Sequence, residues 1–139
     1  MYVSGNDVYV VGYQHFENSK TVAKLWKNGV AQNLSYGCRG SASSVFVSGN
    51  DVYVVGFVEC SKGIFSVLWK NGIAQKLNQD GTIQMVGELI RYNSVFVSGE
   101  DVYVAGSENN VRNAAIWENN ILQVLIENPP LDYENFIIR

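Results

Sequence analysis

Histidine occurs once in this sequence, and cysteine and proline twice each. No apolar run approaches the roughly 18 residues a membrane-spanning helix needs. One His and two Cys are too few, and wrongly spaced, for a structural zinc site within one chain. There is no phosphate-cradling glycine loop, no metal-spaced cluster, and no Ser, Cys or Asp beside His15 in a recognisable motif. No cofactor is therefore expected, and catalysis finds little support. Basic residues are also short, with 10 Lys and Arg against 13 Asp and Glu, for a net charge of −3. That balance argues against a nucleic-acid or anionic-membrane surface. Met1 runs straight into the first repeat, so no signal peptide is visible, and a cytoplasmic protein and a trimmed secreted form fit equally.

What the chain does have is repetition. Its 139 residues are one domain's worth. The block Val3-Ser4-Gly5-Asn6-Asp7-Val8-Tyr9-Val10-Val11-Gly12 returns at Val47–Gly56 and again, with Glu100 for Asn and Ala105 for Val, at Val97–Gly106. A second block follows each copy: Leu25-Trp26-Lys27-Asn28-Gly29, Leu68-Trp69-Lys70-Asn71-Gly72 and Ile116-Trp117-Glu118-Asn119-Asn120. The repeats fall at approximately 1–42, 43–92 and 93–126, with a strand-bearing tail at 127–139. Such a repeat fixes architecture before any single residue is interpreted.

The complete middle copy reads as four strands. Ser44 to Ser48 is the first, and Gly49-Asn50 a tight turn requiring positive φ. Asp51 to Phe57 is the second strand and Phe65 to Lys70 the third; Asn71-Gly72 is a hairpin signal, and Ile73 to Leu77 the fourth strand. The second strand, Val-Tyr-Val-Val, is apolar at every position and should be buried on both faces. The fourth is polar, as an exposed edge should be. The expected fold is all-β: three four-stranded antiparallel meanders stacked as β-propeller blades. The tryptophan spacings of 43 and 48 suit that architecture. A β-trefoil or β-prism, which closes as a monomer, is the alternative.

The two blocks together resemble the repeat of bacterial β-propeller-like proteins of uncharacterised function. They lack the Gly-His…Trp-Asp signature of WD40 blades and the double glycine of kelch blades. The resemblance covers almost the whole chain; it implies an architecture and carries no functional residues.

Three blades do not close a propeller, for which four to eight are typical. Leu34 to Val45 spans eleven positions, and so does Leu125 to Phe136, so the tail ends on a fourth copy of the first strand. The expectation is a homodimer forming a six-bladed ring through blade edges and the C-terminal strand Asn135 to Arg139. The plainer reading is a fragment of a longer propeller.

In a meander the two tight turns lie on one rim and the remaining connections on the other. The first rim is nearly invariant between repeats and the second is variable, which makes the second the expected binding face for a protein or glycan partner. Its loops are Gln14 to Lys20, Val58 to Gly63 and Ser107 to Arg112, with linkers Ser35 to Ser43 and Asn78 to Asn93. The candidate ligand-binding residues there are His15, Phe16, Tyr36, Arg39, Glu59, Glu88, Arg91, Tyr92 and Arg112. Cys38 and Cys60 share this rim, either as a disulfide or as two free thiols. Asp7, Asp51 and Asp101 each follow a hairpin turn and read as turn-stabilising carboxylates rather than ligands. Trp26, Trp69 and Trp117 read as packing between blades. Glu127, Asp132 and Glu134 sit in a tail around Pro129-Pro130 that reads as solvated. The leading functional expectation is a non-enzymatic recognition or scaffold module. A hydrolase or lyase with a site on the rim or in a central channel, or a purely structural fragment, are the alternatives.

Overall fold

The computed structural model describes residues 1–35, 37–61, 63–75, 91–108, 113–119 and 121–124. These form twelve strands: β1 (Tyr2–Ser4), β2 (Asp7–His15), β3 (Thr21–Lys27), β4 (Val30–Asn33), β5 (Arg39–Ser48), β6 (Asp51–Cys60), β7 (Gly63–Lys70), β8 (Ile73–Gln75), β9 (Arg91–Ser98), β10 (Asp101–Glu108), β11 (Asn113–Glu118) and β12 (Ile121–Val124). They pair in sequence order into three four-stranded antiparallel meanders, β1–β4, β5–β8 and β9–β12. No helix occurs among the described residues. The expected C-terminal strand, Asn135 to Arg139, lies outside them.

Two turn chemistries recur. Gly5, Gly49 and Gly99 sit at φ 60°, 60° and 61°, while the residue after each keeps negative φ. Only the first turn position therefore demands glycine, and Glu100 stands without strain where the other copies have Asn. In the β3–β4 and β7–β8 turns both central residues are left-handed, Asn28 and Gly29 at 51° and 83°, Asn71 and Gly72 at 53° and 81°. That is the backbone for which Asn-Gly is selected.

The strands run further toward the variable rim than the sequence reading places them. β5 begins at Arg39 and β6 continues to Cys60, inside segments expected to be linker and loop. The extra residues have packing to do, since Val58 and Phe65 lie against the core between the first two sheets. A β-bulge lets the register continue: Ala42 opposes Gly56 and Ser44 opposes Val55, leaving Ser43 unpaired. The third sheet repeats it, with Tyr92 opposite Gly106 and Ser94 opposite Ala105. A Cβ on Gly56 would run into the Ser41 carbonyl, so the strands approach closely enough only with glycine there.

The sheets stack face to face. Tyr9, Ala23 and Leu25 of the first meet Val45, Val47, Val54, Val67 and Trp69 of the second. Tyr53, Val55 and Leu68 on the second sheet's other face meet Val95, Val97, Val104 and Trp117 of the third. The middle β6 is thus buried on both faces, with Val54 at 1% and Val55 at 0% exposure. Each such valine contributes about 1.5–3 kcal/mol relative to an exposed one. The outer sheets bury one face each: in β2, Tyr9 is buried while Val8 and Val10 are 38% and 40% exposed. Tyr2, Phe46 and Phe96, one from each first strand, form an aromatic column with centroid spacings of 4.9 and 4.8 Å. The fourth strand β4 is exposed throughout.

Trp69 is 1% exposed, and its Nε1 donates to the Leu34 carbonyl at 3.1 Å, tying the second sheet to the end of the first. Trp26, at the same repeat position, is only half-buried because its sheet is the outermost.

Candidate functional site

The invariant rim is held by a clamp used three times. Asn71 accepts at Oδ1 from the Val52 N–H at 2.9 Å and donates from Nδ2 to Asp51 Oδ1 at 2.9 Å. Its own N–H donates to the Val52 carbonyl at 2.8 Å. Asn28 makes the same bonds to Val8 and Asp7, and Asn119 to Val102 and Asp101. The repeated aspartates therefore join one tight turn to the other through an asparagine side chain. The turn-stabilising carboxylates of the sequence reading thus accept from an amide about 20 residues away. Asp7 is held below the usual carboxylate range, first by the Asn28 hydrogen bond and then by Lys27, whose Nζ lies 3.5 Å away.

Behind the clamps, each seam between sheets opens a half-enclosed cleft on this rim. One, of about 260 Å³, lies among Tyr9, Lys27 and Gln32 of the first sheet and Asn50 and Asn71 of the second. The other, of about 210 Å³, lies among the matching Tyr53, Lys70 and Gln75 and the third sheet's Glu100 and Asn119. Tyr9 and Lys27 are cross-strand partners, as are Tyr53 and Lys70, and each ammonium stands over its tyrosine ring at 5.5 and 5.6 Å. Hydrogen bonding to the Tyr9 hydroxyl and the charge of Asp7 raise the Lys27 pKa. In the third sheet Glu118 replaces the lysine, and the Tyr103 hydroxyl donates to it at 3.3 Å. The Glu118 charge beside it pushes the Tyr103 phenol up. Both clefts present an ammonium and amides, and the second adds the Glu100 carboxylate, a lining that suits a small polar group. They lie away from the variable loops and each joins residues of two repeats.

On the variable rim, His15 ends β2 and is exposed. Phe16 opens the following turn, 40% exposed, with Lys24 Nζ 5.8 Å from its ring centre. Arg39 and Glu59 are directly opposite one another on β5 and β6, both exposed, and Ile64 of β7 faces Glu59 from the other side. This row of three lies beside Phe57, two residues along β6 and on the same face. Phe57 is 42% and Ile64 36% exposed. A disulfide joins Cys38 to Cys60 with Cα atoms 4.8 Å apart, fastening the ends of β5 and β6 one residue beyond that row.

Tyr92 belongs to the core rather than to a binding face. It is 3% exposed and meets Trp117 edge-on, centroids 4.7 Å apart. Its hydroxyl is buried without a hydrogen-bond partner among the described residues, and burial raises its pKa. The bulge at Asn93 breaks the alternation of β9 and returns Tyr92 to the face of Val95 and Val97, so its ring fills the interior toward the second sheet. Arg91 begins β9, paired with Ser107. Tyr36, Glu88 and Arg112 lie outside the described residues, as do Glu127, Asp132 and Glu134. Among the described residues no three His, Cys, Asp or Glu side chains gather as a metal site would require.

No protein-family model matches the chain, and neither the curated proteins nor the solved structures contain a match to it.

Proposed function

We propose that the three sheets are blades of a β-propeller and that the chain is a non-enzymatic recognition module binding a partner through the variable rim. The blade reading is supported by the middle sheet, whose two faces serve two separate cores. A prism or trefoil directs its repeats toward one shared centre. The ring column through the first strands and the exposed fourth strand β4 fit a radial order with the first strands innermost. The likeness to bacterial propeller-like repeats belongs to the same proposal.

The observation that carries the recognition reading is the Arg39–Glu59–Ile64 row with Phe57, exposed on strands whose ends are joined by the disulfide. An aromatic, an aliphatic and an arginine on rigid backbone are the composition of an interface centre, and favour a protein over a glycan. A second reading rests on the two matching seam clefts, which would bind a repeated small polar ligand such as a glycan at equivalent sites.

One experiment separates them. Wild-type protein is screened against a displayed peptide library and a glycan array, and each binder is retested with Phe57→Ala, Arg39→Ala and Lys70→Ala. A rim module loses about tenfold or more in affinity with the first two and nothing with the third. Loss with Lys70→Ala alone replaces this reading by the cleft reading. Binders indifferent to Phe57→Ala, to Arg39→Ala and to Lys70→Ala combined with Lys27→Ala, which removes the ammonium from both clefts, reject both readings.

A further inference from the structure

We infer that the two outer sheet faces are the two halves of one interface, and that a second copy of this chain fills both, closing a six-bladed ring. This rests on the blade reading, goes beyond the recognition reading and does not depend on which rim binds a ligand.

The interface in question is already present twice within the chain. One half is a tyrosine–leucine face, Tyr9 and Leu25 on the first sheet and Tyr53 and Leu68 on the second. The other is a tryptophan–valine face, Val54 and Trp69 on the second sheet and Val104 and Trp117 on the third. Each tyrosine–leucine face packs on the tryptophan–valine face of the next sheet, always in the same sense. The first sheet is left with an unfilled tryptophan–valine face, where Val3, Val8 and Val10 are 59%, 38% and 40% exposed and Trp26 is half-buried. The third sheet is left with the complementary face, where Tyr103 and Ile116 are half-buried and Ala105 is exposed. The aromatic column points the same way, since Phe96 ends it with 56% of its surface free and Tyr2 begins it.

A contact whose halves lie on opposite ends of one chain is heterologous, so it either closes a ring or runs on as a filament. Propellers close with four to eight blades, and six is the one multiple of three in that range. Two chains therefore suffice, related by a twofold axis down the ring and sharing two identical contacts. Burying these faces removes an exposed apolar surface of the kind that monomers rarely keep.

The test is solution mass by light scattering for the wild type, Val10→Lys, Ala105→Lys and an equimolar mixture of the two variants. Both substituted side chains are exposed within the single chain, so each variant should fold, which circular dichroism checks. The wild type is expected at twice the chain mass. Each variant alone is expected as a monomer, its dissociation constant raised more than about a hundredfold by a lysine placed in an apolar contact. In the mixture, the intact third sheet of the Val10→Lys chain meets the intact first sheet of the Ala105→Lys chain, while the second contact carries both lysines. Dimers return through the one intact contact at raised protein concentration, more weakly than in the wild type. That recovery cannot come from unfolded chains. A monomeric wild type, a variant that still dimerises alone, a mixture that stays monomeric, or a mass that climbs with concentration past the dimer each overturns the proposal.

Discussion

Asn71 and Asp51 stand 20 positions apart in the chain, yet the Asn71 side chain donates to the Asp51 carboxylate at 2.9 Å while accepting from Val52. The clamp works because Asn71 holds left-handed backbone at φ 53°, which aims its amide back across the turn. Asn71→Ala should lose both side-chain bonds and place a Cβ-bearing residue with no local compensation at positive φ. The expected loss is about 2 kcal/mol in urea denaturation. Asn71→Gly relieves the backbone and should lose only about 1 kcal/mol. Equal losses for the two would mean that backbone strain contributes nothing.

The strand reading succeeded where chemistry and periodicity coincide. Val52 to Val55 is apolar at every position, and the middle sheet is buried on both faces as expected; Asn-Gly marks two of the C-terminal hairpins. Strand ends were harder, because Arg39 to Ser43 reads as polar linker and only the bulge and the Val58–Phe65 packing make it strand. Tyr92 falls within the Asn78 to Asn93 linker of the sequence reading, and so on the rim, whereas the structure makes it the second residue of β9. Its inward direction depends on which side of the Asn93 bulge the alternation is counted from. The seam clefts were illegible for a different reason: they join residues of different repeats, and no linear spacing within one copy reveals them.

Gly56 and Gly12 are the same residue of the repeat in different surroundings. A methyl on Gly56 meets the Ser41 carbonyl and the Ala42 backbone, whereas on Gly12 it meets only the Trp26 ring at 3.8 Å. β1 pairs with Asp7 to Tyr9 only, so among the described residues Gly12 has β3 alone beside it, whereas Gly56 has Ala42 of β5 on its other side. Gly56→Ala should destabilise by about 1–3 kcal/mol, and Gly12→Ala should be close to neutral. Thermal unfolding of the two variants side by side checks the contrast.

The Tyr92 hydroxyl offers an unusual gain. Removing a buried polar atom that has no partner among the described residues removes its desolvation penalty, while the ring keeps its contact with Trp117. Tyr92→Phe is expected to raise stability, by about 1 kcal/mol at most, in chemical denaturation. A clear loss would place a hydrogen-bond partner on that hydroxyl and end this explanation.

The Cys38–Cys60 bridge closes a loop of sequence separation 22. Loop-closure entropy assigns it about 3 kcal/mol. Cys38→Ser with Cys60→Ser should lose an amount of that order, and a reducing agent should bring the wild type to the same midpoint. Hydrogen exchange should quicken first at Arg39 and Glu59, where the bridge holds the strand ends together. Exchange that quickens uniformly across all three sheets would deny the bridge this local role.

Asp7 gives the stability a dependence on acid. Its folded pKa is lowered, first by the Asn28 amide and then by Lys27, so folding favours the carboxylate. The contribution is complete above its unfolded value of about 4 and is lost as pH falls through the lower folded value. Asp7→Asn still offers Asn28 an acceptor and removes only the charge. Its deficit relative to the wild type should therefore be largest near neutrality and vanish toward about pH 2. The Lys27 ammonium and the Asp7 carboxylate are both well exposed, so added salt should shrink the same deficit. Urea midpoints of the two proteins at low and high salt, followed from about pH 6 to pH 2, measure it. Parallel curves would mean that the charge on Asp7 does nothing for the clamp that its oxygen atom does not already do.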